Sequence, residues 1–166
     1  MTRRRAAFIA AWAAVVAWMA VIFWFSAQPG TESAAMSGGF IQRVIGWFVP
    51  DFAHMPPAGQ AAMVESWQTA VRKIAHMAEY ALLGILLWTA RGRSLSGLRA
   101  RAVLTAGIGL VYAASDEIHQ MFVPGRGPGV LDVLIDFAGL CIGLAACAAA
   151  AVLWRRHKTR HPSKAT

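Results

Sequence analysis

The sequence predicts an all-α polytopic membrane protein, a bundle of four transmembrane helices with short helices on its outer surface. Hydrophobic residues make up 57% of the 166 residues and charged residues only 14%, which is too apolar for an ordinary soluble domain. Four segments approach the roughly 20 residues that a helix needs to cross a hydrocarbon core. The lysines and arginines lie in short runs beside these segments, so the net charge of +8 indicates membrane topology and no nucleic-acid partner.

The first predicted span covers residues 6–27 and follows three consecutive arginines. It resembles a signal peptide, but its apolar run exceeds the usual core of about 7–15 residues. Trp24 and Phe25 also stand where a cleavage site needs small residues. We therefore expect residues 1–27 to remain in the mature protein as an N-terminal transmembrane helix.

Residues 28–71 are predicted to form an extracytoplasmic loop, which is long for a linker in so small a domain. Within residues 40–48 apolar side chains recur at helical spacing, so an amphipathic helix on the outer surface is expected. The apolar positions are Phe40, Ile41, Val44, Ile45 and Phe48. Prolines follow, and residues 58–69 form another predicted helical piece. A cover over helix ends and a gate for substrate are both compatible with this loop.

The other three spans are predicted at residues 74–90, 102–122 and 130–154, within a three-helix core at residues 72–154. Residues 155–166 form a basic tail. Twelve of the 16 basic residues lie at the N-terminus, between the second and third spans, or in this tail. By the positive-inside rule, both termini are cytoplasmic in a multi-pass protein of the plasma or inner membrane. All eight acidic residues then fall in the outer half.

Strongly polar side chains interrupt the last three spans. The third span ends in a stretch that contains Asp116, Glu117, His119 and Gln120. A charge at mid-bilayer depth costs about 2.5–3.5 kcal/mol on insertion scales, so such residues indicate a functional site. The second span begins with a polar helix face, and the fourth adds two aspartates. At 1.5 Å per residue, all three groups reach the same outer half of the bilayer.

These residue types suggest two roles. Arginine and lysine suit phosphate or carboxylate ligands, and histidine with carboxylates can transfer protons. The candidate catalytic residues are His76, Glu79, Asp116, Glu117, His119 and Asp136. The candidate ligand-binding residues are Arg72, Lys73, Tyr80, Gln120, Arg126 and Asp132, with Arg126 held over the cluster by a Pro- and Gly-rich turn at 124–129.

Purely structural roles are alternatives for several of these residues. Asp116 and Asp136 could pair with Arg72 and Lys73, which would leave no charge bare in lipid. His76 could be a core histidine that Glu79 or Tyr80 satisfies. No metal ligands are assigned, because no established metal motif is present. Histidines and carboxylates at helical spacing could nevertheless bind a divalent metal, which is a more specific alternative to these structural roles.

Glycines provide for close helix packing near the predicted site. Gly139 and Gly143 form a small-xxx-small pair on the fourth span. Gly107 and Gly109 reduce the bulk of the third span. Close backbone approach is therefore expected in this part of the bundle.

Three blocks of residues resemble the VanZ-like family, with order and spacing intact over residues 72–143. The second-span block includes Arg72, Lys73, Ala75, His76, Glu79 and Tyr80. The third-span block includes Tyr112, Ser115, Asp116, Glu117, His119, Gln120 and the run from Phe122 to Arg126. The fourth-span block includes Asp132, Val133, Asp136, Gly139 and Gly143. Phe137 departs from the pattern, which expects a small polar residue. The resemblance implies a connection with resistance to teicoplanin-type glycopeptides and supplies no reaction.

Three function classes follow. In the first two, the partner is a membrane lipid or an envelope precursor of the outer leaflet, and in the third a proton is transported. An enzyme would transfer or hydrolyse a phosphoryl, acyl or glycosyl group on an envelope lipid, with the arginines stabilising negative charge. A binding protein would hold or shield the same head group. A transporter would relay protons through its buried carboxylates and would require a homo-oligomer, because four helices are few for a transport path.

Overall fold

The computed structural model describes residues 2–92, 97–127 and 129–160 of the chain. They form five α-helices and one 3-10 helix, with no strand among these residues, so the predicted all-α class is confirmed. Three predicted segments fall partly outside the described residues. These parts are Arg93 of the basic loop, Pro128 of the turn and residues 161–166 of the tail. The helices are α1 (Arg3–Ser26), α2 (Gly30–Phe48), the 3-10 helix (Phe52–His54), α3 (Pro57–Ala90), α4 (Leu98–Gln120) and α5 (Val130–Arg160).

Within the described residues, two helices are long and apolar enough to cross a membrane, Arg3–Ser26 and Val130–Thr159. Only 11% of the apolar window of the first and 28% of that of the second is buried inside the protein, so their apolar side chains face mainly outward. The helices α3 and α4 do not meet the same criterion, because the polar residues of the predicted site lower their mean hydropathy. Length and composition therefore support two of the four predicted spans.

The helix α3 is one continuous element of 34 residues, whereas the sequence suggested a separate helical piece before the second span. It begins with Pro57 in its first turn, where the missing N–H and fixed φ of proline are favourable. It ends at Ala90, shortly before Gly92 adopts a left-handed φ of 60°. Such a helix is about 51 Å long, so it extends well beyond a hydrocarbon core of roughly 30 Å.

Close packing between α3 and α5 is the main interhelical contact of the fold. A Cβ atom at Gly139 would collide with the carbonyl oxygen of Met77, and one at Gly143 with that of Ala81. On α3, a Cβ atom at Gly84 would lie 2.7 Å from the carbonyl oxygen of Leu140. The predicted close approach is therefore present, with glycines from both helices.

The glycines of α4 behave differently from each other. A Cβ atom at Gly109 would meet the side chain of Leu140, as expected for a packed position. Gly107 has no neighbouring heavy atom within 4 Å of such a Cβ atom. The prediction that Gly107 serves close packing is wrong, because this face of α4 is open.

The described residues form two separate apolar cores. The larger one joins α1, α3, α4 and α5 through residues such as Ile22, Leu83 and Leu140. In the smaller core, α2 and the 3-10 helix pack on the first half of α3. Its buried residues are Ile41, Ile45, Phe52 and Val64.

The helix α2 is longer than predicted, since it begins ten residues before the expected amphipathic stretch. Ile41 and Ile45 are buried as its apolar face requires, whereas Phe40 and Phe48 are exposed. The buried face is thus narrower than the sequence pattern indicated. This face attaches α2 to α3, which positions α2 beside the polar residues described next.

Candidate functional site

A polar site lies where the end of α1, the middle of α3, the end of α4 and the start of α5 meet. The loop between α4 and α5 folds over the start of α2, where the backbone N–H of Gly30 donates to the carbonyl oxygen of Pro124 at 3.2 Å. A Cβ atom on Gly30 would collide with the backbone of Gly125, whose φ of 72° suits glycine. Segments that are far apart in the sequence therefore build one site.

Asp116 is held in place by side chains from two helices. The hydroxyl of Ser26 donates to its Oδ2 atom at 2.7 Å, and the amide of Gln120 donates to the same atom at 3.3 Å. The Gln120 amide also reaches Ser26 Oγ at 3.3 Å. Asp116 is only 2% exposed, and its Oδ1 atom has no hydrogen-bond donor among the described residues.

Asp136 is a second buried aspartate of the site, and it faces His76. The His76 Nδ1 and Asp136 Oδ1 atoms are 3.6 Å apart. Asp136 is 1% exposed, and neither of its carboxylate oxygens accepts a hydrogen bond from the part of the chain that the structure describes. One ligand atom each from His76, Asp116 and Asp136 lies within 4.8 Å of the others.

A cavity of about 20 Å³ opens beside this group. Lys73 of α3 and Asp132 of α5 both line it, and their Nζ and Oδ1 atoms are 3.9 Å apart. Glu117 accepts a hydrogen bond of 3.1 Å from the backbone N–H of Gly129, just before α5 begins. The side chains that carry charge or can carry it around the cavity are Arg72, Lys73, His76, Glu117, Arg126, Asp132 and Asp136.

Arg126 ties the loop after α4 to the end of α1. Its Nε–H donates to the carbonyl oxygen of Gln28 at 3.1 Å, and an Nη2–H donates to that of Phe25 at 2.9 Å. Burial is the largest cause that lowers the pKa of Arg126, and the nearby positive charge of Arg72 adds to it. Arg72 and Arg126 both line the small cavity, and their positive charges repel each other.

Two larger cavities adjoin the small one and open to the outside. One has a volume of about 350 Å³ and is lined by residues that include Ser33, Gln68, Arg72, Glu79 and Arg126. The other, of about 310 Å³, lies between α2 and α3 and is lined by residues that include Thr31 and Glu65. Arg72 lines all three cavities.

Ten of the twelve predicted site residues surround these cavities or lie directly behind them, whereas His119 and Tyr80 do not. The ring of His119 lies against that of Phe23 of α1, with centroids 4.3 Å apart. Tyr80 is fully buried in the larger core, with its ring 6.1 Å from that of Tyr112. Both side chains are therefore placed among the packed helices.

The ion pairs differ from the pairing suggested by the sequence. Among the described residues, Lys73 pairs with Asp132, and Arg72 pairs with neither Asp116 nor Asp136. His76 faces Asp136, where the sequence suggested Glu79 or Tyr80 as its partner. The suggestion that Arg72 and Lys73 neutralise the two buried aspartates is thus wrong.

Sequence reasoning missed Ser26, which supplies the shortest hydrogen bond to Asp116. The available signal was a hydroxyl at the end of an apolar span. It also missed Ser33, Ser37 and Gln68, which belong to α2 and α3 and line the larger cavity. Gln68 lies one helical turn before Arg72 on α3, so the polar helix face of the second span, extended by one turn, indicates it. Ser33 and Ser37 reach the site only through the position of α2 on α3.

Comparison with known proteins identifies one family. A family model described as VanZ/LLP1 matches residues 11–154, a stretch that contains every residue of the site described above. No curated protein and no solved structure matches the chain.

Proposed function

This chain belongs to the VanZ/LLP1 family, and from that premise we propose that it is a multi-pass membrane protein that binds the phosphate-bearing head group of an envelope lipid. Family membership and two strongly apolar helices indicate a membrane protein. The head group would enter from the outer leaflet and occupy the larger cavities beside the polar site. A lipid or a lipid-linked envelope precursor presents the chemistry that this site complements.

The observation that carries this proposal is the position of Arg72. Its side chain lines all three cavities, and within the described ranges it makes no hydrogen bond or salt bridge. Arg126 lines two of the same cavities and keeps N–H donors beyond the two that bind the carbonyl oxygens of Phe25 and Gln28. An anion between these guanidinium groups would relieve their repulsion and accept charge-assisted hydrogen bonds.

The remaining walls of the 350 Å³ cavity suit a lipid-linked ligand. Ser33, Ser37 and Gln68 offer hydroxyl and amide groups that can bind the oxygens of a phosphate or sugar. Phe25 and Val71 add apolar surface on which the first carbons of a chain could pack. The volume also lies in the usual range of about 300–1,000 Å³ for small-molecule sites.

We further propose that α3 and α4 cross the membrane together with α1 and α5, with both termini in the cytoplasm. On α4, Val103, Val111 and Ile118 are exposed along one face. Large apolar side chains on the outer surface of a helix suit contact with lipid. On α4, Asp116, Glu117 and Gln120 are buried inside the bundle, where charged groups in membrane proteins are usually found.

Labelling of single cysteines tests this topology. In a background with Cys141 and Cys147 replaced by alanine, a cysteine at Ser96, between α3 and α4, is expected to react with an impermeant reagent only after the cells are opened. A cysteine at Ser66 on the exposed first half of α3 serves as the matched control and is expected to react in intact cells. Labelling of the Ser96 position from outside would contradict the orientation.

Head-group binding is tested with the Arg72→Gln variant. We expect the Kd for a short-chain polyprenyl phosphate to rise roughly 10- to 100-fold, because a hydrogen bond to a charged group contributes about 1.5–3 kcal/mol. The measurement is fluorescence titration of the purified full chain in nanodiscs. Arg43→Gln removes the same charge from an exposed site on α2 and is expected to leave the Kd unchanged.

Two further ligands identify what the site recognises. The uncharged polyprenyl alcohol is expected to bind weakly, whereas inorganic phosphate is expected to compete only at much higher concentration. Equal affinity for alcohol and phosphate, or equal Kd values for the Arg72 and Arg43 variants, would reject the proposal. Phosphate that binds as tightly as the lipid would make free phosphate the ligand.

A further inference from the structure

We infer that His76, Asp116 and Asp136 bind a divalent metal cation at the floor of the polar site. This inference goes beyond head-group binding, which the two arginines could perform without a metal. It concerns three side chains from three different helices, α3, α4 and α5. The proposed ligand is a transition-metal ion such as Zn²⁺ or Mn²⁺, because imidazole and carboxylate are both suitable ligands for such ions.

The distances fit a common ion. Zinc binds nitrogen and oxygen at about 2.0–2.2 Å, so two ligands of one tetrahedral ion lie about 3.3–3.6 Å apart. The three ligand atoms here lie within 4.8 Å of one another, and His76 Nδ1 is 3.6 Å from Asp136 Oδ1. Side-chain movements of about 1 Å, comparable with ordinary thermal displacement, would complete the coordination.

Burial without partners provides the second observation. Asp136 is 1% exposed and Asp116 is 2% exposed. Both oxygens of Asp136 and one oxygen of Asp116 accept no hydrogen bond within the described ranges. A buried carboxylate without a donor is unfavourable, and two such groups close together repel each other. One divalent cation would satisfy these oxygens and remove the repulsion.

Nearby positive charges do not replace such an ion. His76 is 3.6 Å from Asp136, beyond the usual hydrogen-bond range of about 2.7–3.2 Å. The described ammonium group nearest to the site, Lys73, pairs with Asp132. Arg126 donates to two carbonyl oxygens of the α1 end. The two buried aspartates therefore keep oxygens for which these cations provide no direct bond.

Neighbouring side chains orient the inferred ligands. Ser26 and Gln120 both donate to Oδ2 of Asp116, which leaves Oδ1 for the metal. Such outer contacts commonly position metal-binding carboxylates. The adjacent cavity of about 20 Å³ is large enough for about one water molecule. Three protein ligands would thus leave a coordination position for water or for a ligand oxygen.

Metal content of the full-length protein tests the inference. The tag-free protein is treated with a chelator in detergent, incubated with Zn²⁺ or Mn²⁺, and analysed by mass spectrometry of the elements. We expect about one ion per chain, and X-ray absorption is expected to show imidazole and oxygen ligands at about 2.0–2.2 Å. Asp136→Asn and His76→Gln are expected to lose the bound ion, whereas Asp132→Asn retains it.

A milder variant covers the case in which loss of Asp136 prevents folding. Ser26→Ala removes only the donor to Asp116 and is expected to weaken metal binding about 10- to 100-fold. Wild-type protein without stoichiometric metal, or an unchanged affinity in Ser26→Ala and Asp136→Asn, would overturn the inference. Polyprenyl phosphate binding by metal-free protein would leave the proposed function intact, whereas metal binding without lipid binding would reject that function alone.

Discussion

Replacement of Gly139 by alanine is expected to lower the free energy of unfolding by about 2–3 kcal/mol, the upper part of the usual range for overpacking. The added Cβ atom would collide with the carbonyl oxygen of Met77 on α3. A backbone atom in a helix cannot move aside as a flexible side chain can, so the two helices must separate. Thermal unfolding in detergent, followed by tryptophan fluorescence, measures the effect.

Gly107→Ala is the matched control for this experiment. The same methyl group is added to another helix, but no heavy atom lies within 4 Å of it. Because alanine favours the helix over glycine by about 0.8–1.0 kcal/mol, this variant is expected to unfold at the same or a higher temperature. Equal melting temperatures for the two variants would show that the α3–α5 contact is looser than the structure has it.

The Ile45→Ala variant is expected to release α2 from α3 while the larger core stays folded. Truncation of a buried isoleucine costs about 2–5 kcal/mol, and Ile45 is fully buried in the smaller core. Among the described residues, the buried part of that core contains three others, Ile41, Phe52 and Val64. The substitution is therefore expected to lower the local stability of this core more than the stability of the whole protein. Hydrogen exchange of α2 is therefore expected to accelerate without a matching change in α5.

The same variant also connects this small core to ligand binding. Ser33 and Ser37 of α2 line the 350 Å³ cavity, so a detached α2 is expected to weaken polyprenyl phosphate binding. Trp47→Ala removes a larger side chain from α2, but Trp47 is 78% exposed, and a change below about 0.5 kcal/mol is expected. Unchanged exchange in Ile45→Ala would contradict the conclusion that the smaller core holds α2 on α3.

Helix positions were largely predictable, because apolar periodicity and prolines are local signals. The continuous helix α3 was predicted as two pieces, since Arg72 and Lys73 change the polarity of the chain. That change concerns the surroundings of the helix and does not interrupt its backbone hydrogen bonds. Polar residues also lower the mean hydropathy of α3 and α4, so these helices fail a simple hydropathy criterion for membrane spans. The polar residues that mark the site also reduce the apolar signal of the helices that carry it.

The residues of the site were more predictable than their partners. Helical spacing places His76 on a polar stripe, but whether it meets Asp136 depends on how far α3 is shifted along α5. Contacts at Gly84, Gly139 and Gly143 determine that shift, and no single helix contains this information. His119 lies only three residues after Asp116, yet the neighbouring ring of Phe23 holds it away from the cavity.

The distance along the chain between the parts of the site has a consequence for biosynthesis. Ser26 bonds Asp116 from 90 residues away, and Asp136 follows His76 by 60 residues. At about 5–20 residues per second, translation from His76 to Asp136 takes about 3–12 s, whereas a helix forms in about a microsecond. Each nascent chain therefore carries polar groups of the site for seconds before their partners have been synthesised.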